Sequence, residues 1–164
     1  MKYINWNTKK SLKLKKSRGI CFEDIVYYIE KGDILDDYIH PNQKRYPEQW
    51  IMVIGINNYA YLVPYIEDVE EICLKTIIPS RKATELYFGG KKMKTKLTKE
   101  EQEILDSFES GKWVPVKNLS KRKAELMRYA RNTLKKDKRL NIRISERDLN
   151  ELRKKAISEG LPYQ

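Results

Sequence analysis

Cysteine and histidine are nearly absent from this sequence. Two cysteines in 164 residues, Cys21 and Cys73, are too few and too unpatterned for a disulfide framework or a zinc site. They read as half-buried thiols of a cytoplasmic protein. His40 is the one histidine, and it sits in a polar stretch before Pro41. No metal and no cofactor is expected. Long apolar runs are missing too: nothing approaches the roughly 18 residues of a membrane span. The opening MKYINWNTKK has no apolar core of a secretory signal, so neither a membrane nor export is expected.

Charge is abundant. Charged residues make up 35% of the chain, and its net charge is +11. Residues 1–92 account for +3 of this and the remainder for +8. A basic imbalance of that size suits nucleic-acid contact, although a solvated lysine-rich helix produces the same numbers. The length allows one domain or two small ones.

Local patterns give an element order. KYINW reads as a short strand, and Asn7 or Thr8 caps a helix that Gly19 ends. FEDIVYYIEK places Phe22, Ile25, Val26 and Ile29 on one helical face. DILDDYI, WIMVIGI, YAYLVPYI and EEICLKTII read as strands, with Asn57-Asn58 as a tight hairpin turn. The expected fold class is α+β, a small antiparallel sheet with helices on one side. Ser80 then caps a short helix whose first turn holds Arg81 and Lys82. Cations beside free amide groups make a phosphate site there, unless both side chains simply point into water. Lys15, Lys16 and Arg18 form a second basic cluster at the end of the first helix. Lys75 adds a cation to an otherwise apolar strand.

In the C-terminal part, Thr98-x-x-Glu101 is a capping box opening a helix with Ile104, Leu105 and Phe108 on one face. Trp113, Val114 and Val116 lie in an extended stretch and want apolar partners. A basic helix follows, with a thin stripe of Ala124, Met127, Ala130 and Leu134 that needs a surface to lie on. Residues 137–164 then give a short strand with Arg139, Asn141 and Arg143 on one face, and a capped amphipathic helix.

Two resemblances join these pieces. WN…K…LKKSRGICFED, HP and IIPSRKATELY resemble the BrnT-type toxins of bacterial type II toxin–antitoxin systems, over residues 1–90. The position that the family usually fills with histidine holds Arg18. The strand and helix of 137–164 resemble a ribbon-helix-helix antitoxin of the CopG or BrnA type that stops short of its second helix. The first resemblance implies a RelE-like ribonuclease that cleaves RNA without a metal. Its expected catalytic set is Arg81, Arg18, Lys75, His40 and Tyr87, with Lys82, Ser80 and Lys16 on RNA phosphates. The second implies base contacts to operator DNA through Arg139, Asn141 and Arg143, weakened by the missing helix. Residues 91–96 read as a junction, Met93 being the antitoxin's own start. Residues 97–136 read as a toxin-binding arm that folds back over the basic site through Phe108, Trp113, Val114 and Met127. The competing reading is a non-enzymatic nucleic-acid-binding regulator whose N-terminal part serves protein contacts.

Overall fold

Asn57 and Asn58 adopt φ values of 50° and 60°, the left-handed pair that a two-residue hairpin demands. They join β3 (Gln49–Ile56) to β4 (Tyr59–Glu67), whose ladder runs unbroken from Ile56–Tyr59 to Gln49–Ile66. The computed structural model describes residues 2–89, 95–135 and 145–160. Around the hairpin stand β1 (Tyr3–Trp6), α1 (Thr8–Arg18), α2 (Phe22–Lys31) and β2 (Ile34–Ile39) before it. After it come β5 (Glu71–Leu74), β6 (Ile78–Pro79), α3 (Arg81–Phe88), α4 (Lys99–Glu109), β7 (Val114–Pro115), α5 (Leu119–Leu134) and α6 (Glu146–Ser158). The class is α+β, with one seven-stranded sheet in the order β1-β5-β4-β3-β2-β7 and β6 paired to β4.

Three expectations change. The sheet is mixed rather than antiparallel, because β1 runs parallel to β5. Helices cover both of its faces, which is why β3 and β4 are apolar at nearly every position instead of alternating. Met52, Ile54, Val63 and Tyr65 face a core shared with α1, α2 and α5; Ile51, Val53, Ala60 and Leu62 face one shared with α3 and α4. Third, EEICLKTII is two strands. β5 pairs β4 as Tyr65–Leu74, whereas β6 pairs it as Leu62–Ile78, a register shifted by one residue. The extra residue makes a bulge over Lys75–Ile77, in which the Lys75 amide still donates to Pro64 O at 2.8 Å while the Ile77 carbonyl turns to Arg18.

The C-terminal elements wrap the sheet. α4 lies against one face, β7 pairs with β2 at the edge, and α5 lies on the other face against α2 and β1. The buried stripe of α5 is Leu126, Tyr129 and Ala130. Ala124 and Leu134 are exposed, so the stripe expected from sequence is rotated about the helix. Met127 is half-buried and packs beside Gly32. The strand expected to carry Arg139, Asn141 and Arg143 lies outside the described residues, as does Met93. No residue of α6 is buried. Among the described residues no helix is long and apolar enough to cross a membrane.

A buried polar cluster fastens α5. Arg122 donates to Asp37 through Nε at 3.0 Å, to the Tyr65 hydroxyl at 3.0 Å, and to the Glu67 carboxylate. Its guanidinium also stacks 4.7 Å from the Trp50 ring centre, a cation–π contact. Lys2 reaches Glu67 at 2.8 Å. Asp37 is completely buried. That burial pushes its carboxyl up to about 7, against the pull of Arg122 and the Tyr65 hydroxyl bond. Arg122→Ala strands two carboxylates and is expected to cost about 3–5 kcal/mol of unfolding free energy. Asp37→Asn added to that variant should recover part of the loss. Urea unfolding of the single and double variants checks this; equal stability of wild type and Arg122→Ala would remove the cluster's role.

Candidate functional site

Gly19, with φ of 71°, ends α1 in the left-handed conformation, and leaves Arg18 as its last residue. The bulge between β5 and β6 presents the Ile77 carbonyl and the Thr76 hydroxyl toward it. Arg18 Nη1 donates to Ile77 O at 2.7 Å and to Glu101 Oε1 at 2.9 Å. Nη2 donates to Glu101 Oε2 at 2.5 Å and to Lys96 O at 3.2 Å. Thr76 Oγ1 donates to Glu101 Oε1 at 2.5 Å, and the Thr98 amide to Oε2 at 3.0 Å. The arginine fork therefore grips a carboxylate end-on through both terminal nitrogens, a geometry that equally suits two oxygens of a phosphate.

Glu101 and Thr76 are buried, with 5% and 3% of their surface exposed. Burial alone raises a carboxyl, but bonds from Arg18, Thr76 and Thr98 outweigh it and hold Glu101 at about 2. The capping box was legible in the sequence. That its glutamate also pairs with Arg18 was not, because the two are separated by 83 residues.

A cleft of about 740 Å³ opens beside this cluster, between α1 and α4. Lys9, Lys10, Lys13 and Lys75 line one side, and Lys99 and Glu100 the other. A second cleft of about 770 Å³ shares Lys10, Lys75, Glu100 and Ile104 with it, so the two adjoin. Its far wall carries His40 and Tyr46, with Gln49, Pro64 and Ile66 of the sheet also lining it.

The expected catalytic residues are thus distributed over several places. Arg18 and Lys75 share the first cleft, and Lys75 and His40 the second. His40 packs at a tilt against Tyr46 and edge-on against Trp113, with ring centres 4.6 and 4.8 Å away. Its Nδ1 accepts from the Asn42 amide at 3.0 Å, which puts the imidazole proton on Nε2. Burial lowers its pKa, so at neutral pH it is a neutral hydrogen-bond donor. Lys75 Nζ approaches Cys73 Sγ at 3.6 Å. Burial raises Cys21 to about 11, leaving that thiol protonated.

Arg81 and Lys82 line a different cavity, of about 470 Å³, between α3 and α4. Lys82 Nζ donates to the Glu109 carbonyl at 2.6 Å. Ser80 is fully buried, and its hydroxyl accepts from the Ala83 amide at 3.2 Å; it is a helix cap with its oxygen engaged. Tyr87, also on α3, leans toward Asp36 at 3.4 Å. Lys16 is exposed on α1.

Of the expected arm contacts, Trp113 is buried and Phe108 meets Tyr38 edge-on at 4.9 Å. Val114 contributes its backbone, pairing with Ile39, while its side chain is 51% exposed. Sequence reasoning missed Arg122 and Asp37. The second carried a signal, since a carboxylate inside a strand needs a partner as much as Lys75 does. Among the described residues no cluster of His, Cys, Asp and Glu is placed to hold a metal ion. Comparison with protein-family models, curated proteins and solved structures finds no match.

Because the folded Glu101 carboxyl lies near 2 and its ordinary value is 4.5, its stabilisation is complete above about pH 4.5. It is lost as pH falls from there toward 2. Comparing wild type with Glu101→Gln by chemical unfolding, the stability gap should be constant above pH 5 and narrow below 4.5. A gap independent of pH would show that the charge of Glu101 does not hold Arg18.

Proposed function

We propose that this chain is a toxin–antitoxin-type protein in which residues 2–89 handle RNA and residues 95–135 hold them closed. The observation that supports this best is the carboxylate of Glu101 seated in the Arg18–Thr76 receptor. A carboxylate and a phosphodiester present the same pair of anionic oxygens to a guanidinium, so Glu101 occupies the place an RNA phosphate would take. The lysines of the adjoining cleft would follow the flanking phosphates, and an acidic α4 beside them is complementary in charge. The RelE-like and ribbon-helix-helix assignments belong to this reading.

With α4 displaced, the Arg18 fork and the Thr76 hydroxyl would bind the scissile phosphate and neutralise the charge that builds on its oxygens. The adjacent ribose 2′-oxygen attacks phosphorus and loses its proton. The bond from phosphorus to the 5′-oxygen breaks, and that oxygen takes up a proton. The products are a 2′,3′-cyclic phosphate and a 5′-hydroxyl. Lys75 and His40 Nε2 lie on the adjoining walls, where they could donate to the leaving oxygen or the phosphate.

A second reading, a regulator that binds RNA or DNA without cutting it, also has an observation in its favour. No acid–base pair converges on Arg18 among the described residues, and His40 Nδ1 is engaged by a backbone amide. The full chain and its Glu101→Gln variant separate the two readings when mixed with end-labelled single-stranded RNA in the presence of a chelator. The variant should bind RNA at least tenfold more tightly than wild type, with affinity falling steeply as salt rises. It should also release 2′,3′-cyclic ends. Arg18→Ala in the same background should abolish both. Tighter binding without cleavage supports the regulator, and unchanged binding overturns the masked receptor in either form.

A further inference from the structure

The two adjoining clefts differ in chemistry. The first, beside Arg18, is lined by six cations and two carboxylates. In the second the charges cancel, Lys10 and Lys75 standing against Glu100 and Glu103. That balance draws no anion into it. Its wall is aromatic instead, built from His40, Tyr46, Trp50, Tyr65 and Trp113. These rings are held in place. Trp50 carries the Arg122 guanidinium 4.7 Å from its centre and lies at 20° to the Tyr65 ring. Trp113 donates through Nε1 to Ser107 Oγ at 3.0 Å and braces His40, which packs on Tyr46. His40, Tyr46 and Trp50 nevertheless remain only half-buried, so part of their ring surface is open to the cleft.

Gln49 lines the same cleft and is half-buried. Its backbone is engaged by Tyr46 and His40, but its side-chain amide forms no hydrogen bond with any described residue. That amide offers one acceptor and two donors. A flat ring with hydrogen-bonding groups on its edge answers both features, stacking on the aromatic wall and pairing with the amide. A cationic ligand would meet Lys10 and Lys75, and an aliphatic one would leave Gln49 unsatisfied. The two clefts meet at Lys10 and Lys75. A chain whose phosphates follow the first cleft therefore delivers its next base to the second.

From this juxtaposition we infer that the second cleft receives one unstacked nucleobase of a single-stranded RNA. Its ring lies against Tyr46 and Trp50, and its edge meets the Gln49 amide. This rests on the reading that the first cleft follows RNA phosphates, and it names the substrate class. A base inside a duplex has its faces stacked and its pairing edge taken, so only a single strand can present one. Tyr46 is then a stacking platform, and Gln49 determines which base is preferred.

The test is fluorescence-anisotropy titration of the full chain and of its Glu101→Gln variant. The probes are a short labelled abasic oligoribonucleotide and the same backbone carrying a single adenine, cytosine, guanine or uracil. In Glu101→Gln the preferred base should tighten binding about tenfold or more over the abasic probe, the worth of one stacked base. Tyr46→Leu in that background should remove most of the gain. Its affinity for the abasic probe should stay unchanged, which shows that the variant is folded. Gln49→Ala should change the ranking of the four bases. Equal affinity for abasic and base-bearing probes overturns the pocket, even where Glu101→Gln tightens both. A base preference untouched by Tyr46→Leu and Gln49→Ala overturns it as well. A preference with the expected dependence, but no gain from Glu101→Gln, keeps the pocket and removes the masked receptor. Binding of no probe overturns both.

Discussion

One guanidinium organises the sheet and what covers it. Arg122 reaches from α5 to Asp37 on β2, lies over Trp50 on β3, and meets Tyr65 and Glu67 on β4. Asp37 and Glu67 bring two carboxylates into one buried cluster, an arrangement that repels itself unless a cation stands between them. Arginine suits the task, since its planar fork serves several acceptors at once and remains charged at any ordinary pH. The position of α5 follows from that requirement, with Leu126, Tyr129 and Ala130 completing the core beside α2.

A second arginine works from the opposite direction. Arg122 is a cation of the C-terminal segment set among acids of the sheet, whereas Arg18 is a cation of the sheet layer set against an acid of that segment. The segment is thus held on one face by what it donates and on the other by what it accepts. Separating either pair leaves a buried charge alone, a heavier loss than the net worth of the pair. The two differ in what could replace the lost partner. The Arg122 cluster lends Trp50 and Tyr65 to the wall of the second cleft, whereas the Arg18 cluster borders the more basic first cleft, through which an anionic competitor could enter.

Much of this fold was legible in the sequence, because its signals are local. Asn7, Ser80, Thr98 and Ser145 cap helices where their side chains suggested, and Gly19 and Gly32 close α1 and α2. Asn57-Asn58 marked the hairpin. What the sequence concealed is non-local. The continuous apolar character of β3 and β4 fitted one covered face or two, and the choice depends on where α3 and α4 settle. The bulge at Lys75–Ile77 has no composition of its own; it exists because β5 and β6 pair with β4 in different registers. The stripe of α5 was displaced because Leu126 and Tyr129, rather than Ala124 and Leu134, fit the surface offered by α2 and β1. The candidate site followed the same division, its basic residues visible one by one and their partition among separate cavities visible only in three dimensions.

The pairing of β7 with β2 has a further consequence. It is short, Val114 to Ile39 and Pro115 to Tyr38, yet it covers the one edge of the sheet next to β2. Beyond it the Val116 amide adds a bond to the Asp37 carbonyl at 3.0 Å. An uncovered edge strand is a template on which another extended chain can add. Any motion that lifts the C-terminal segment from the cleft and carries β7 with it would therefore leave β2 bare. Aggregation then competes with opening, and it favours an open form that is brief or that another extended polypeptide meets at once.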